Sequence, residues 1–370
     1  MAATDPGSLA QARKIAVCCA IGLETESVFR TDRGSATDSR LVTSHMLKVG
    51  PSLTPLIEDC VENSCANLSF PRQLVDVYIA PSVESNAYCT THDGRCAVVI
   101  NSALVEALGP SELSFVIGHE IGHFLVPEFA TSSRGSLEAS IKSRRAELTM
   151  DRIGLVASRD LNMACLAKLK MLSGLSRRHL KLDVVEIISD WRRELTQGAH
   201  EMLTGSTHPP PGLRIHALVR FHGTSLYRSI VGLQGGTDPR EANDEILDEL
   251  GKYVDSRETS LIRASLIDLS CALVSLAAAL GVAVRKSSFT SGCLDVNDGI
   301  LRESVGNILS ISVPEERLSL ARNECVECLR RANAAAPELT SRYLKELEEK
   351  EPAILNQLKE LGAEIYVAKS

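Results

Sequence analysis

The chain has 370 residues, 44% of them hydrophobic and 24% charged, and a formal net charge of -7. This composition is typical of a globular protein rather than a disordered or fibrous one, and the length favours two domains. The acidic balance, with no basic block, argues against nucleic acid as a partner.

The first 40 residues are predicted to form a tail or adapter. Within them, Arg13 and Lys14 precede the apolar run from Ile15 to Leu23, which is short for a signal peptide and has no small-residue cleavage site after it. The eleven cysteines show no framework spacing. We therefore expect reduced thiols and a cytoplasmic location.

Residues 41–231 are predicted to form the first domain, and its first half contains the strand signals. A helical pattern at 52–68 precedes LVDVYIA, which has the β-branched residues of a strand, and NAYCTTHDGRCAVVI carries Asp93-Gly94, a tight hairpin turn. Helical patterns dominate afterwards, and the next major helix is expected to begin near Pro110 with Ser111 as its cap. The fold class is thus mainly α with a small β-sheet (α+β).

The segment FVIGHEIGHFL places two histidines and a glutamate on an otherwise apolar helix. His119 and His123 are four residues apart and lie on one helical face, with Glu120 beside them. Burying these groups without partners costs several kcal/mol, and a metal cation is the simplest compensation. Gly118 and Gly122 also indicate that another element packs closely here. The pattern predicts a zinc site.

A catalytic zinc ion needs a third protein ligand and an open position. Glu147 fits best, because Asp151 lies one helical turn later and can hold a ligating imidazole by its second N–H. Glu128 and Glu138 are weaker candidates. The alternative for Glu147 and Asp151 is pairing with neighbouring arginines on a solvated face.

Four ordered motifs resemble peptidase family M48, the gluzincin metallopeptidases. They are HEIGH, the ExxxD pattern from Glu147 to Asp151, NAY at 86–88, and THPPPGLRI at 207–215, and together they cover about residues 41 to 225. The resemblance implies a zincin-like metallopeptidase domain. It also implies the following roles: zinc binding by His119, His123 and Glu147, general base catalysis by Glu120, oxyanion stabilisation by His208, support by Asp151 and Arg214, and substrate binding at Asn86 and Ala87.

Residues 232–243 are predicted to be a linker and residues 244–370 an all-α domain. Asp298, Gly299 and Glu303 give this region a weak similarity to TerB-like helical domains, which suggests regulation or a protein partner. Cys325 and Cys328 have CxxC spacing, but their helical context and the lack of a second pair disfavour a metal or redox role.

No integral membrane segment is expected. The longest charge-free apolar run, Leu269 to Val284, would extend about 24 Å as a helix, short of a ~30 Å hydrocarbon core. We interpret it as a buried helix.

The sequence therefore predicts a soluble, zinc-dependent endopeptidase with one Zn²⁺ per chain, acting on peptides or unfolded proteins. Glu120 would take a proton from a water whose pKa the zinc lowers towards ~7. One alternative is a proteolytically latent zinc-containing scaffold or chaperone-like protein, with its cleft plugged by the loop of His208 or by the second domain. Another is a zinc hydrolase acting on a non-peptide amide.

Overall fold

A computed structural model describes residues 6–22, 45–126, 136–196, 206–282 and 296–352, together with residues 354 and 356. The chain divides into two compact units. Unit 1 comprises residues 1–132 and 142–254, and unit 2 comprises residues 133–141 and 255–370.

Unit 1 combines helices with one small sheet, which confirms the predicted fold class. Its described elements are α1 (Pro6–Cys19), β1 (Leu47–Lys48), α2 (Pro55–Asn67), β2 (Val75–Ala80), β3 (Ala87–His92), β4 (Arg95–Asn101), α3 (Ser102–Ala107), α4 (Pro110–Leu125), most of α5 (Leu137–Ser158), α6 (Leu161–Ser173), α7 (Val184–Thr196), α8 (Pro211–His222), α9 (Ser225–Ile230) and α10 (Pro239–Tyr253).

The sheet has the strand order β1-β2-β4-β3. The buried strand β4 lies at its centre, parallel to β2 and antiparallel to β3. Asp93 and Gly94 connect β3 to β4 with φ values of 50° and 71°, the left-handed backbone that a tight hairpin requires. The predicted strand and hairpin are confirmed, and β3 is left as an edge strand of this sheet.

Helix α4 is buried along most of its length and packs closely on α5. A Cβ atom added at Gly118 would lie 2.2 Å from the Cβ of Ala157, and one added at Gly154 would lie 2.6 Å from the carbonyl oxygen of Phe115. Only glycine permits this separation, because real Cβ contacts are never so short. The predicted packing reason for Gly118 is confirmed.

The start of α4 differs from the prediction in its cap. Gly109 is the cap residue, and its N–H donates to Oε2 of Glu112 at 2.6 Å. Ser111 lies inside the first turn instead. Glu112 can accept this hydrogen bond because it lies three residues after the cap, from where its carboxylate reaches back to the free N–H of Gly109.

The predicted linker at 232–243 was wrong as a boundary between domains, because unit 1 continues to Val254. Thr237 donates its N–H to Gly223 at 3.0 Å and accepts from the N–H of Ser225 at 2.9 Å. Helix α10 begins at Pro239 and buries an apolar face beside α7 and α8. The residues of this cluster include Trp191, Leu213, Ile246 and Leu250.

The predicted N-terminal tail was also wrong where the structure describes it. Helix α1 buries Ala12, Ile15, Ala16 and Cys19 in the main core of unit 1. The rest of the predicted tail, residues 1–5 and 23–40, lies outside the described residues.

The described part of unit 2 is helical: the start of α5 with α11 (Ser256–Ala279), α12 (Asp298–Leu309), α13 (Pro314–Ala335) and α14 (Pro337–Lys350). Oγ of Ser270 and the hydroxyl of Tyr343 form a buried hydrogen bond of 2.7 Å. Cys325 and Cys328 are buried in the same core. Nothing in the helices tests the TerB-like similarity, which stays a prediction.

Helix α11 is long and apolar enough, by length and composition, to cross a membrane. The core helices of soluble proteins pass the same criterion, and 56% of its most apolar window is buried here. The expectation of no integral membrane segment stays a prediction.

The α4–α5 contact gives the first testable prediction. Gly118→Ala is expected to lower the free energy of unfolding by about 1–3 kcal/mol, because the added methyl group overpacks against Ala157. Gly251→Ala in α10 is the matched control, since a Cβ there meets no atom within 4 Å. Helix propensity alone should make the control up to ~1 kcal/mol more stable than wild type. Urea unfolding of both variants measures the difference, and equal stabilisation of the two would contradict close packing at Gly118.

Candidate metal centre

His119 and His123 lie one turn apart on α4 and turn their rings toward α5. The ring centroids are 5.1 Å apart. His119 is buried, whereas the side chain of His123 is 31% exposed. The pair therefore lies at the boundary between the core and an open side of unit 1.

Glu147 on α5 completes a group of three ligands. Its Oε2 lies 3.5 Å from Nε2 of His119, and its Oε1 lies 3.5 Å from Nε2 of His123. Tetrahedral zinc with bonds of about 2.0–2.1 Å to nitrogen and oxygen would hold its donors about 3.3 Å apart. The donor atoms of all three residues lie within 4.8 Å of one another. Their spacing and chemistry therefore fit a zinc ion.

Asp151 lies one turn after Glu147 and faces the other nitrogen of His119. Its Oδ1 is 3.0 Å from Nδ1 of this histidine, and the carboxylate is almost fully buried. The contact is within ion-pair distance but is not aligned as a hydrogen bond. The negative charge of a carboxylate this close to Nδ1 nevertheless favours the tautomer that carries its proton there. Nε2 of His119 is then free to bind a cation next to Glu147.

Arg214 on α8 contacts the carboxylates of both Glu147 and Asp151. Its Nε donates to Oδ2 of Asp151 at 2.6 Å, and its Nη2 donates to Oδ1 of Asp151 and to Oε2 of Glu147, both at 2.8 Å. These contacts exclude the solvated-face alternative for Glu147 and Asp151. Arg214 instead balances part of their negative charge inside the unit.

Sequence reasoning missed Lys168, which lies at the same site. Its Nζ is 2.5 Å from Oδ1 of Asp151, and its side chain is 7% exposed. The available signal was a lysine within the apolar helical pattern LNMACLAKLKMLS. A buried lysine needs an acidic partner, but the sequence does not say which one.

Burial and charge separate the pKa values of the two glutamates. Burial by itself would raise the pKa of Glu147. The interactions of its carboxylate with Arg214, His119 and His123 have the larger effect and lower the pKa to about 2. Burial raises the pKa of Glu120 to about 8, and the negative charge of Glu147 adds to this rise. A divalent cation at the site would favour the ionised form of Glu120.

Burial has the opposite effect on the histidines, because it disfavours their charged form. It lowers the pKa of His119 to about 4, with a further contribution from the charge of Lys168. It also lowers the pKa of His123. Both imidazoles are therefore neutral at pH 7, as a metal ligand must be.

His208 lies at the open side of the group. Its Nε2 is 3.5 Å from Oε1 of Glu147, and its side chain is 62% exposed. Its Nδ1 lies 3.0 Å from Oγ1 of Thr207, and Arg144 fixes the same segment by donating to the carbonyl of Ser206 at 2.6 Å. The structure thus brings His208 to the three ligands across more than 60 residues of sequence.

Asn86 and Ala87 lie at the start of the edge strand. The carbonyl of Asn86 accepts from the N–H of Asn101 at 3.0 Å, and its Oδ1 accepts from the N–H of Ala87 at 3.0 Å. Strand β3, which begins here, contacts α4. Further along the hairpin, the thiols of Cys89 and Cys96 lie 3.6 Å apart.

Other candidate ligands are not part of this group. Glu138 lies in unit 2, where its Oε2 accepts from the N–H of Glu338 at 3.0 Å. Glu128 lies outside the described residues. His216, Glu245 and Glu249 also cluster, but Arg220 and Arg192 neutralise the two carboxylates. We interpret that cluster as an ion-pair network.

Comparisons with known proteins agree on one family. The family model named "Peptidase family M48" matches residues 51–132. The chain is similar to a plastoglobule-localized metallopeptidase 48 of Arabidopsis thaliana, with 28% identity over 187 residues that cover 42% of this chain and 54% of the relative. It is also similar to a protease HtpX homolog of Moorella thermoacetica, with 27% identity over 179 residues that cover 48% of this chain and 58% of the relative.

The chain spans little more than half the length of these curated relatives. No solved structure matches it significantly. The family match contains the two histidines and Glu120 but ends before Glu147. The placement of Glu147 beside the histidines therefore rests on the geometry of this structure.

The lowered histidine pKa values predict how cation binding responds to pH. Protons compete with a cation for the same nitrogens, and at pKa values below the usual 6.5 this competition begins at lower pH. Zinc affinity is expected to change by less than about 10-fold between pH 7 and pH 5.5 and to fall steeply at lower pH. Chelator competition across this range measures it. A fall of about 100-fold per pH unit starting at pH 6.5 would indicate two solvated histidines instead.

Proposed function

We propose that unit 1 is a zinc-dependent endopeptidase, since this chain belongs to peptidase family M48. The observation that carries the proposal is the group formed by His119, His123 and Glu147, with the buried carboxylate of Glu120 next to it in sequence. Two neutral imidazoles and one carboxylate are the ligand set that peptidases use for catalytic zinc.

These three residues would hold one Zn²⁺ and leave a coordination position on the open side. Zinc in such a site supplies Lewis acidity, which polarises a carbonyl and lowers the pKa of water to about 7. Arg214 holds Glu147 from behind at 2.8 Å, which restricts the carboxylate to the orientation that faces both histidines. The protein thus provides a pre-oriented ligand rather than a flexible one.

Glu120 is proposed as the general base. It takes a proton from the attacking water and later gives it to the amine that leaves. Its pKa of about 8 without a bound cation shows that its surroundings favour the protonated form more strongly than those of Glu147. Such a carboxylate accepts and returns a proton near neutral pH more readily than one whose pKa is about 2.

His208 is proposed to stabilise the negative charge that develops on the carbonyl oxygen. Its Nε2 faces the ligands, and its exposed ring leaves room for a substrate. The hydroxyl of Thr207 can donate to Nδ1, which leaves the ring proton on Nε2. His208 can therefore stabilise an oxyanion by donating from Nε2.

The proposed substrate is an extended peptide or an unfolded protein segment. An extended chain can pair with the edge strand β3, which contacts α4 and begins at Asn86 and Ala87. The two relatives are named as a metallopeptidase and a protease homolog, which supports this substrate class.

Solubility, a cytoplasmic location and a protein partner for unit 2 also remain our proposals. All ten described cysteines are free thiols, which supports a reducing compartment.

The central test of the proposal is Glu120→Gln. This change removes the proton acceptor but none of the three ligands, so hydrolysis of an unfolded protein such as casein should fall by about 100- to 10,000-fold while zinc content stays the same. Glu106→Gln, on the exposed side of α3, is the matched control and should keep wild-type activity. Undiminished hydrolysis by Glu120→Gln would refute the mechanism, and turnover of small amides alone would favour a non-peptide hydrolase.

His208 separates the proposed peptidase from a latent zinc scaffold. Its Nε2 lies as close to Glu147 as Nε2 of His123 does. The ring of His208 could therefore occupy the coordination position that a catalytic zinc ion leaves open. This makes a proteolytically latent zinc scaffold the second candidate function. We expect His208→Ala to lower kcat by about 10- to 100-fold, since an oxyanion donor is lost. Casein hydrolysis with equal zinc loading measures the effect. A gain of activity would show that His208 plugs the site.

A further inference from the structure

We propose that Lys168 is a positioning residue of the metal centre. It holds Asp151 so that the carboxylate keeps His119 in the orientation and tautomer that bind a cation. The inference rests on the proposed cation site of unit 1, but not on hydrolysis of any particular substrate.

Lys168 contacts the same oxygen of Asp151 that lies next to His119. Oδ1 of Asp151 lies 2.5 Å from Nζ of Lys168 and 3.0 Å from Nδ1 of His119. Lysine and histidine therefore share one carboxylate oxygen. A rotation that displaces this oxygen disturbs both contacts at once.

Arg214 fixes the same carboxylate from another direction. Its Nε holds Oδ2, and its Nη2 holds Oδ1 while also reaching Glu147. Arg214 comes from α8 and Lys168 from α6, so Asp151 of α5 is held by two other helices. A carboxylate anchored from two helices has less freedom to follow one of them away from His119.

The surroundings of Lys168 restrict it to this role. Its Nζ lies 5.2 Å from the ring centroid of Phe115, which is one turn before His119 on α4. The charged group is buried, and an ammonium group removed from water needs an ionised partner close by. Lys168 thus contacts both the helix that carries the histidines and the acid that supports them.

A simpler alternative is that Lys168 only balances negative charge. Glu120, Glu147 and Asp151 are buried together, and Arg214 alone does not neutralise them. The two explanations predict opposite signs. Removing a positive charge near a cation site strengthens cation binding if charge is the only effect, whereas removing a positioning contact weakens it.

Lys170 provides a matched control on the same helix. It is also buried, and its Nζ pairs with Oε2 of Glu112 at 2.6 Å, away from the three ligands. Lys170→Met and Lys168→Met each remove one buried lysine from α6 and leave one buried carboxylate without that partner. Loss of stability should be similar, but only Lys168→Met should affect the metal centre.

The experiment measures Zn²⁺ affinity of the full-length chain by chelator competition, with folding checked by circular dichroism. Lys168→Met should bind Zn²⁺ about 10- to 100-fold more weakly than wild type, the usual effect of losing a group that orients a ligand. Lys170→Met should stay within about 3-fold of wild type on the same grounds. The visible spectrum of the Co²⁺-loaded protein should change in Lys168→Met alone.

Lys168→Gln covers the case in which the methionine variant does not fold. Its amide can still donate to Asp151 but carries no charge, so the positioning role predicts an affinity between those of Lys168→Met and wild type. Unchanged or tighter Zn²⁺ binding in the folded Lys168 variants would overturn the proposal. An equal loss in Lys170→Met would do the same.

Glu147→Gln and wild type separate this proposal from the proposed function. If wild type binds no Zn²⁺, or if Glu147→Gln binds it equally well, the cation site itself is wrong. If wild type binds Zn²⁺, Glu147→Gln loses it and Lys168→Met retains it, only the role of Lys168 fails.

Discussion

The close crossing of α4 and α5 is the constraint on which the metal centre depends. Gly118 and Gly154 let the two backbones approach, because a Cβ at either position would overlap the facing helix. At this separation the carboxylate of Glu147 lies 3.5 Å from a nitrogen of each histidine. A wider crossing would leave the same residues present but unable to share one cation.

The buried charges around this crossing explain how two glutamates acquire different properties. Arg214 donates a hydrogen bond to Glu147, and the pKa of Glu147 is about 2. Burial and the negative charge of Glu147 raise the pKa of Glu120 to about 8. One carboxylate therefore remains an ionised ligand, and the other is suited to moving a proton. Lys168 adds a second buried cation on Asp151, so the supporting acid also stays ionised.

Local features of the site could be predicted from sequence because each depends on a few neighbouring residues. Helical spacing places His119 above His123, and Glu147 one turn before Asp151, whatever surrounds them. The turn at Asp93-Gly94 follows from its backbone preference in the same way. The predictions of a tail and a linker failed because they depended on contacts between separate elements. The apolar faces of α1 and α10 indicate that each helix packs against another element, but the sequence pattern does not identify that element.

The sequence by itself determined the chemistry available to this protein: two imidazoles and an acid on one helix, and two acids one turn apart on another. Only the tertiary structure decided which groups meet. Arg214, Lys168 and His208 come from three other segments of the chain and converge on Glu147 and Asp151. Their approach depends on how separate helices pack, and this is set by the summed burial of many side chains rather than by any local pattern.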